Sequence, residues 1–180
     1  MSDNETIDNA DDVWFAIKTR QDFRAEKVLA PVCKEVLFPK ERVKAEGKRP
    51  TVRAVIPHVL FVKTSRSHIL KLETEGRQHP GSSLSFWIYR YPASDDVQVI
   101  SESSIELVRL LTADDTSRCE IFNKRDFKAM QRVRITGGRF EGYEGSVVRV
   151  KKNKHVVVQI AGVCLLMLPM IHPDLLSPID

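Results

Sequence analysis

The stretch VRITGGRFEGYEGSVVRV, residues 133–150, predicts two short β-strands joined by a glycine-rich turn. Its first residues alternate apolar and basic side chains, which is the period of a strand with one buried face. Gly137 and Gly138 allow positive φ, and the glycines at 142 and 145 let the chain reverse again. Valine-rich strands follow, up to residue 160. Short strands at this spacing, joined by tight turns, are typical of a small barrel.

Composition describes a basic body with an acidic beginning. The chain has 180 residues, enough for one medium domain or two small ones, and 42% of them are hydrophobic. The formal net charge is +4, yet residues 1–12 carry only acidic charges, and we expect a disordered acidic tail there. The remaining chain is therefore more basic than +4. This charge suits a polyanion or an acidic protein surface, or serves only to keep the protein in solution.

The sequence contains no motif for catalysis or for metal binding. Cys33, Cys119 and Cys164 form no CxxC pair, so we predict no metal site and interpret Cys33 and Cys164 as buried, reduced thiols. Phosphate-binding glycine loops and metalloprotease helices are also missing, and we expect neither an enzyme nor a cofactor. Without a signal peptide or a stretch of about 20 apolar residues, we expect a cytoplasmic protein with no membrane partner.

Residues 13–113 predict an α+β domain in which helices flank a mostly antiparallel sheet. Strand and helix patterns alternate along this half, and they fall at 13–17, 22–30, 36–38, 55–62, 67–75, 84–90 and 101–111. A hydrophilic hairpin or loop occupies residues 40–53. Polar residues 114–126 predict a linker, and residues 127–180 predict the small all-β module.

The β module resembles the KOW motif, because Gly138-Arg-Phe140-Glu-Gly142-Tyr-Glu-Gly145 fits its Gly-x-Phe-x-Gly-x-x-Gly turn. The first half resembles the NGN domain of NusG-type transcription elongation factors. The segments that carry this resemblance are WFAIKTR at 14–20, Glu26-Lys27, VLFP at 36–39 and IPHVLFV at 56–62. The chain departs from that family at His58-Val59, where Gly-Tyr usually follows the proline. The acidic beginning and LLMLPMIHP at 165–173 are more similar to specialised antiterminators of the RfaH and UpxY types.

The resemblance implies an NGN domain followed by an SH3-like KOW barrel, and a function in transcription elongation or antitermination. The NGN domain would bind the clamp helices of RNA polymerase and reduce pausing. The KOW domain would recruit a small-subunit ribosomal protein, the termination factor Rho, or RNA. KOW modules also occur in ribosomal proteins, so the alternative is an RNA-binding or ribosome-associated protein without polymerase affinity. The valine-rich strands predict a stable barrel, not the helical hairpin of RfaH.

The resemblance also assigns candidate residues for polymerase binding. The expected apolar patch contains Ile56, Phe86 and Ile88, with Trp87 as a further candidate. Neighbouring residues of a strand face opposite sides, so either Trp87 or its two neighbours, Phe86 and Ile88, can be exposed, but not all three. Ser67-His68 matches the region that contacts the polymerase gate loop in RfaH-type relatives, although Ser67 also fits a helix N-terminus.

Basic side chains supply the remaining candidates. The hydrophilic segment is expected to contact displaced DNA or the upstream duplex, or to be a solvated loop, through Lys40, Arg42, Lys44, Lys48, Arg49 and Arg53. The rim of the KOW module is the expected surface for the second partner. Its candidate residues are Arg139, Phe140, Tyr143, Lys151, Lys152 and Lys154.

Overall fold

The computed structural model describes residues 12–113, 120–122 (backbone only), 131–150, 152–160 and 162–180. The predicted acidic tail lies outside these residues apart from Asp12, and so does most of the predicted linker. The described residues form three α-helices and antiparallel sheets, which confirms the predicted α+β class. The chain divides into two compact units, Met1–Phe38 with His58–Ile100 and Pro39–Pro57 with Ser101–Asp180.

The elements of the described residues are numbered here in chain order. They are β1 (Val13–Lys18), α1 (Asp22–Leu29), β2 (Glu35–Leu37), β3 (Lys40–Val43), β4 (Thr51–Ala54), β5 (Val59–Thr64), α2 (Arg66–Gln78), β6 (Trp87–Ile88), β7 (Val99–Ile100), α3 (Glu102–Thr112), β8 (Glu120–Phe122), β9 (Arg132–Ile135), β10 (Glu144–Val150), β11 (Asn153–Ile160), β12 (Cys164–Met167) and β13 (Leu176–Pro178). A 3-10 turn at Pro173–Leu175 precedes the last strand.

The sheet of the first unit is built around β1. This strand pairs with β5 along six residues, and on its other side it pairs with β6 and then with β7. Strand β2 extends the sheet beyond β5. Four consecutive β1 residues, Trp14, Phe15, Ala16 and Ile17, are buried, so both faces of the strand are covered. A short run that is apolar at every position is the sequence pattern of such a strand.

Helix α2 is fastened to the sheet through a buried carboxylate. Ser65 caps the helix by accepting a hydrogen bond from the His68 amide, so the helix begins before Ser67. Glu73, 3% exposed, accepts a hydrogen bond from the backbone amide of Ile88 in β6 at 3.0 Å. Arg90 donates to the same carboxylate at 2.7 Å, and Arg77 lies 3.2 Å from it. A buried charge thus has both ionic and hydrogen-bonding partners, which its desolvation requires.

The second unit contains a two-stranded hairpin, a helix and a six-stranded sheet. Strands β3 and β4 form a hairpin, the first of the two alternatives predicted for the hydrophilic segment 40–53. In the sheet, the strands are ordered β13-β9-β10-β11-β12-β8. Strand β9 alternates exposed arginines with buried Val133 and Ile135, as its sequence predicted. The valine-rich segments 144–150 and 153–160 are strands, as predicted.

The glycine-rich turn depends on its glycines for two different reasons. Gly138 and Gly142 have φ of 80° and 88°, a region that favours glycine. Gly145 instead lies so close to β11 that a Cβ atom there would be 2.6 Å from the Val157 carbonyl oxygen. The predicted positive φ is therefore confirmed at Gly138, whereas Gly137 does not adopt it. The sequence identified the turn but not the separate task of each glycine.

Helix α3 packs within the second unit. Ser101, which the sequence favours as the start of this helix, is its cap, and the Ser101 side chain accepts a hydrogen bond from the Ser104 amide. The Tyr143 hydroxyl donates to the Ser103 carbonyl at 3.0 Å, and Arg139 donates to the Leu110 carbonyl. The sequence had assigned residues 101–113 to the first domain, whereas the observed compact units group α3 with the β module. Residues 120–122, placed in the predicted linker, form β8 against β12.

Several predicted element boundaries are corrected by the structure. Asp22 is the cap that the sequence favours for the first helix, but Gln21 occupies that position and Asp22 is the first residue of α1. The strand predicted at 84–90 is reduced to β6 and an isolated bridge between Arg90 and Val97. Pro57 belongs to a turn before β5, not to the strand itself. Among the described residues, the helices are all too short or too polar to span a membrane.

We predict that Glu73→Gln lowers the free energy of unfolding by about 2–3 kcal/mol at pH 7, because it leaves two arginines without a buried anion. Burial raises the pKa of Glu73, but hydrogen bonds from Arg90 and the Ile88 amide, with the charges of Arg90 and Arg77, outweigh it and lower the pKa. The stabilisation is thus complete above the ordinary glutamate pKa of about 4.3 and is lost as the pH falls through the lower, folded value. Urea unfolding at a series of pH values measures this.

Glu75→Gln, on the same helix, is the matched control and is expected to change stability by less than about 0.5 kcal/mol. The difference between wild type and Glu73→Gln should stay constant from neutral pH down to about pH 5 and shrink below about pH 4. A difference that grows on acidification would contradict the assignment.

Candidate binding surface

The end of β1 brings an exposed tryptophan next to basic side chains. Lys18, the last residue of β1, pairs with Val59 of β5 on one side and with Trp87 of β6 on the other. Trp87 is 51% exposed, while its neighbours Phe86 and Ile88 are 2% and 4% exposed. The alternation of the strand therefore leaves the indole as the accessible large apolar side chain of this segment.

Thr19 holds the two loops at this edge in place. Its side chain is 1% exposed and its hydroxyl donates to the Ser85 carbonyl at 2.9 Å. Its backbone amide donates to the His58 carbonyl at 2.9 Å. One buried threonine thus connects the end of β1 with the segments that lead into β5 and β6. These bonds limit the freedom of the side chains around it.

A concave site of about 560 Å³ lies at this edge and is lined by Lys18, Thr19, Arg20, His58 and Trp87. We call these five residues the Trp87 surface. Lys18, Arg20 and His58 are exposed, and the five include no acidic residue. An aromatic face beside cations suits an acidic protein surface, a nucleobase with its phosphate, or both. The exposed indole and the neighbouring basic side chains therefore make this edge a candidate binding surface.

His58 adopts a backbone conformation that favours glycine. Its φ is 66°, and it is the one residue other than glycine with positive φ in the described part of the chain. The Asp22 carboxylate accepts a hydrogen bond from the His58 amide at 3.2 Å and lies 3.8 Å from its Nδ1 atom. The position coincides with the departure from the expected Pro-Gly sequence. The chain therefore keeps a turn suited to glycine but places an imidazole on the Trp87 surface.

The residues predicted to bind polymerase have different exposures. Ile56, Phe86 and Ile88 are core side chains with 2–4% exposure, and Trp87 alone among the four is exposed. The strand pattern allowed either face to be the exposed one. A partner that approaches this segment first meets the indole, so the candidate surface is built around Trp87.

Ser67 and His68 lie in the first turn of α2. The Ser67 hydroxyl is 3.3 Å from that of Ser65, and the Nε2 atom of His68 lies 2.9 Å from the Val32 carbonyl oxygen. The imidazole thus has an internal hydrogen-bonding partner. Ser67 is exposed, and a gate-loop contact stays a prediction for this pair.

Most basic side chains predicted to contact nucleic acid are exposed on the hairpin. Arg42, Lys44, Lys48, Arg49 and Arg53 are exposed, and Lys40 is partly buried. Arg53 forms an ion pair with Glu41 across the hairpin, so part of its charge is neutralised. Lys44, Lys48 and Arg49 lie on the short connection between β3 and β4, so positive charge is concentrated there.

The candidates on the β module fall into two groups. Arg139 and Tyr143 donate to α3 carbonyls, and Phe140 is 7% exposed with the Arg139 guanidinium 5.4 Å from its ring centre. Burial, with the charge of Glu106, raises the pKa of Tyr143, so its hydroxyl remains a donor. Lys152 and Lys154 are exposed at the β10–β11 connection. Lys151 lies outside the described residues.

The described cysteines and the other potential metal ligands are the remaining candidates for a metal-binding or reactive site. Cys33 and Cys164 are half-buried, which corrects their prediction as buried thiols, and Cys119 lies outside the described residues. Burial raises the pKa of Cys33 to about 11 despite a hydrogen bond with Thr64, so the thiol is protonated at neutral pH. The described residues contain no group of three or more histidine, cysteine or acidic side chains placed to hold a metal.

Sequence reasoning missed Lys18, Arg20 and His58 as members of a site. Lys18 is the last residue of the buried strand β1 and Arg20 lies two residues later, and this position at a strand end was the available sequence signal. For His58, the available signal was a bulky residue after Pro57, at a position where the resemblance expects glycine. No protein-family model matches the chain, and no curated protein matches it either.

We predict that His58→Gly raises the free energy of unfolding by up to about 1 kcal/mol, because glycine accepts positive φ without steric cost. His58→Ala removes the same imidazole but keeps the strained backbone, and it should give no gain. Urea unfolding of both variants separates the backbone from the side chain. A less stable His58→Gly would instead mean that the contacts of the imidazole outweigh the backbone strain.

Proposed function

We propose that this chain is a NusG-type transcription elongation or antitermination factor. The observation that carries the proposal is the exposed Trp87, held by the sheet beside Lys18, Arg20 and His58. Residues 13–113 would be the NGN domain. The β module of its second unit would be an SH3-like KOW barrel, in agreement with the antiparallel strand order and the glycine-rich turn. The protein would act in the cytoplasm without catalysis or cofactor.

Docking on the polymerase clamp helices would use the Trp87 surface. Interfaces between proteins obtain much of their binding energy from a few aromatic and arginine side chains surrounded by polar groups. The indole would insert between side chains of the helix pair, while Lys18 and Arg20 would face acidic residues at the rim. Phe86 and Ile88, buried on either side of Trp87 in sequence, would hold the strand so that the indole faces outward. The proposed role of these two residues is therefore positioning and not contact, and the buried Ile56 is no longer proposed as a contact.

The effect on transcription would follow from a shift in population. A factor that binds the closed clamp more tightly than the open one increases the closed population by the ratio of the two affinities. The basic hairpin would add contacts to displaced DNA through phosphate neutralisation, without reading sequence. The KOW barrel would recruit the second partner, which the resemblance gives as a small-subunit ribosomal protein, Rho or RNA.

We predict that Trp87→Ala weakens binding to core RNA polymerase by about tenfold or more, the loss expected for an interface anchor. Tyr91→Ala is the matched control, because Tyr91 is another exposed aromatic residue of the same unit, and it should bind as the wild type does. Titration of labelled chain with polymerase measures both. Circular dichroism checks the fold of each variant.

A wild-type chain that binds RNA in a salt-dependent way but shows no polymerase affinity would overturn the proposal. It would favour the ribosome-associated alternative. Equal losses of polymerase affinity in Trp87→Ala and Tyr91→Ala would mean that the Trp87 surface is not the polymerase-binding site.

A further inference from the structure

The β module has a groove that shares no residue with its glycine-rich turn. The groove encloses about 450 Å³ between the β10–β11 connection and the segment that leads into β13. Its apolar lining consists of Val133, Val147, Val156, Met170, Ile171, Pro173, Leu176 and Pro178. Met170 is 70% exposed, the highest value among the exposed large hydrophobic side chains of the described residues. An apolar groove with such a side chain at its mouth is typical of a binding site for another molecule.

The polar residues around the groove are basic or neutral. They are Gln131, Lys152, Asn153, Lys154 and His155, and none of the described residues that line the groove is acidic. Lys152 and Lys154 are exposed, so their ammonium groups are available at the rim. The ligand that complements this charge distribution carries negative charge beside an apolar group.

His155 belongs to the lining of the groove. Its Nδ1 atom is buried and has no hydrogen-bond partner among the described residues, so the accessible part of this side chain is the rest of the imidazole. The groove thus has an apolar floor and cations at its rim.

We propose that this groove binds a short segment of a partner protein in which an aliphatic side chain is flanked by aspartate or glutamate. The proposal gives the chemistry of the second partner and rests on the proposed recruiting role of the β module. The aliphatic side chain would pack against Val133, Val147 and Met170. The flanking carboxylates would lie near Lys152 and Lys154.

A protein segment fits this groove better than RNA does. Single-stranded nucleic acids bind largely through bases stacked on aromatic side chains, and no phenylalanine, tyrosine or tryptophan belongs to the described lining. The prolines at 173 and 178 lack backbone amides, which removes donors from this border of the groove. Recognition would therefore rely on side-chain packing and charge, not on addition of a strand to the sheet.

Selection from a displayed random peptide library on the full-length chain tests the proposal without polymerase. We expect enriched peptides to contain leucine, isoleucine, valine or methionine next to two or more acidic residues. Their affinity should fall as salt rises, because exposed charges contribute at the rim. Failure of polymerase binding leaves this readout unaffected, so the two proposals fail separately.

Variants in the groove test the site of binding. Met170→Glu and Lys154→Glu should each lower the affinity for the tightest-binding peptide by about tenfold. The reason is that each variant places a negative charge beside the carboxylates of the peptide. Met170→Leu keeps an aliphatic side chain and should bind like the wild type. Lys71→Glu makes the same charge reversal at an exposed position of α2 and should leave the peptide affinity unchanged.

Four outcomes overturn the proposal. The first three are the enrichment of no peptide, the enrichment of peptides without acidic residues, and a selected random RNA pool that binds through Lys154 more tightly than any peptide. The fourth is equal weakening by Lys71→Glu and Lys154→Glu, which would show general charge attraction. Circular dichroism of each variant confirms that weakened binding does not come from unfolding.

Discussion

The buried carboxylate of Glu73 is the interaction on which the candidate surface of the first unit depends. Strand β6 is only two residues long, so backbone pairing with β1 gives it little independent stability. Glu73 compensates by binding the Ile88 amide and the Arg90 guanidinium, which lie on either side of Tyr89. The helix α2 thereby fixes the direction of the short strand. Because side chains alternate along a strand, fixing Ile88 inward also fixes Trp87 outward.

Close backbone approach reinforces this arrangement. A Cβ atom on Gly76 of α2 would lie 2.1 Å from the Leu84 carbonyl oxygen, so only glycine lets the helix approach that segment so closely. The Thr19 hydroxyl donates a hydrogen bond to the next carbonyl, that of Ser85. The segment before Trp87 is therefore fixed by a helix glycine and a strand-end threonine. An exposed indole on such a support needs little ordering when it binds, which favours affinity.

Much of the fold could be predicted from local patterns. The alternation at residues 132–135, the glycine-rich turn and the serine cap of α3 each contain their signal within a few residues. The exposed face of residues 84–90 was not predictable, because the alternating pattern fits either direction. The choice depends on Glu73, whose position in sequence gives no sign that it meets β6. The positive φ of His58 was hidden for a related reason, since histidine does not indicate such a backbone as glycine does.

The two candidate surfaces differ in chemistry and suit a protein that joins partners. The Trp87 surface combines one aromatic side chain with cations, whereas the groove of the β module is aliphatic with lysines at its rim. Binding two partners at separate sites raises their effective concentration for each other, without any chemical step.

Photocrosslinking from position 87 tests the central claim most directly. With p-benzoylphenylalanine in place of Trp87, the chain would be added to a stalled elongation complex and irradiated. The account predicts a crosslink to the clamp helices of the largest polymerase subunit, and none from the same residue placed at position 91. Crosslinks from position 87 only to ribosomal components or RNA, or equal polymerase crosslinks from both positions, would contradict it.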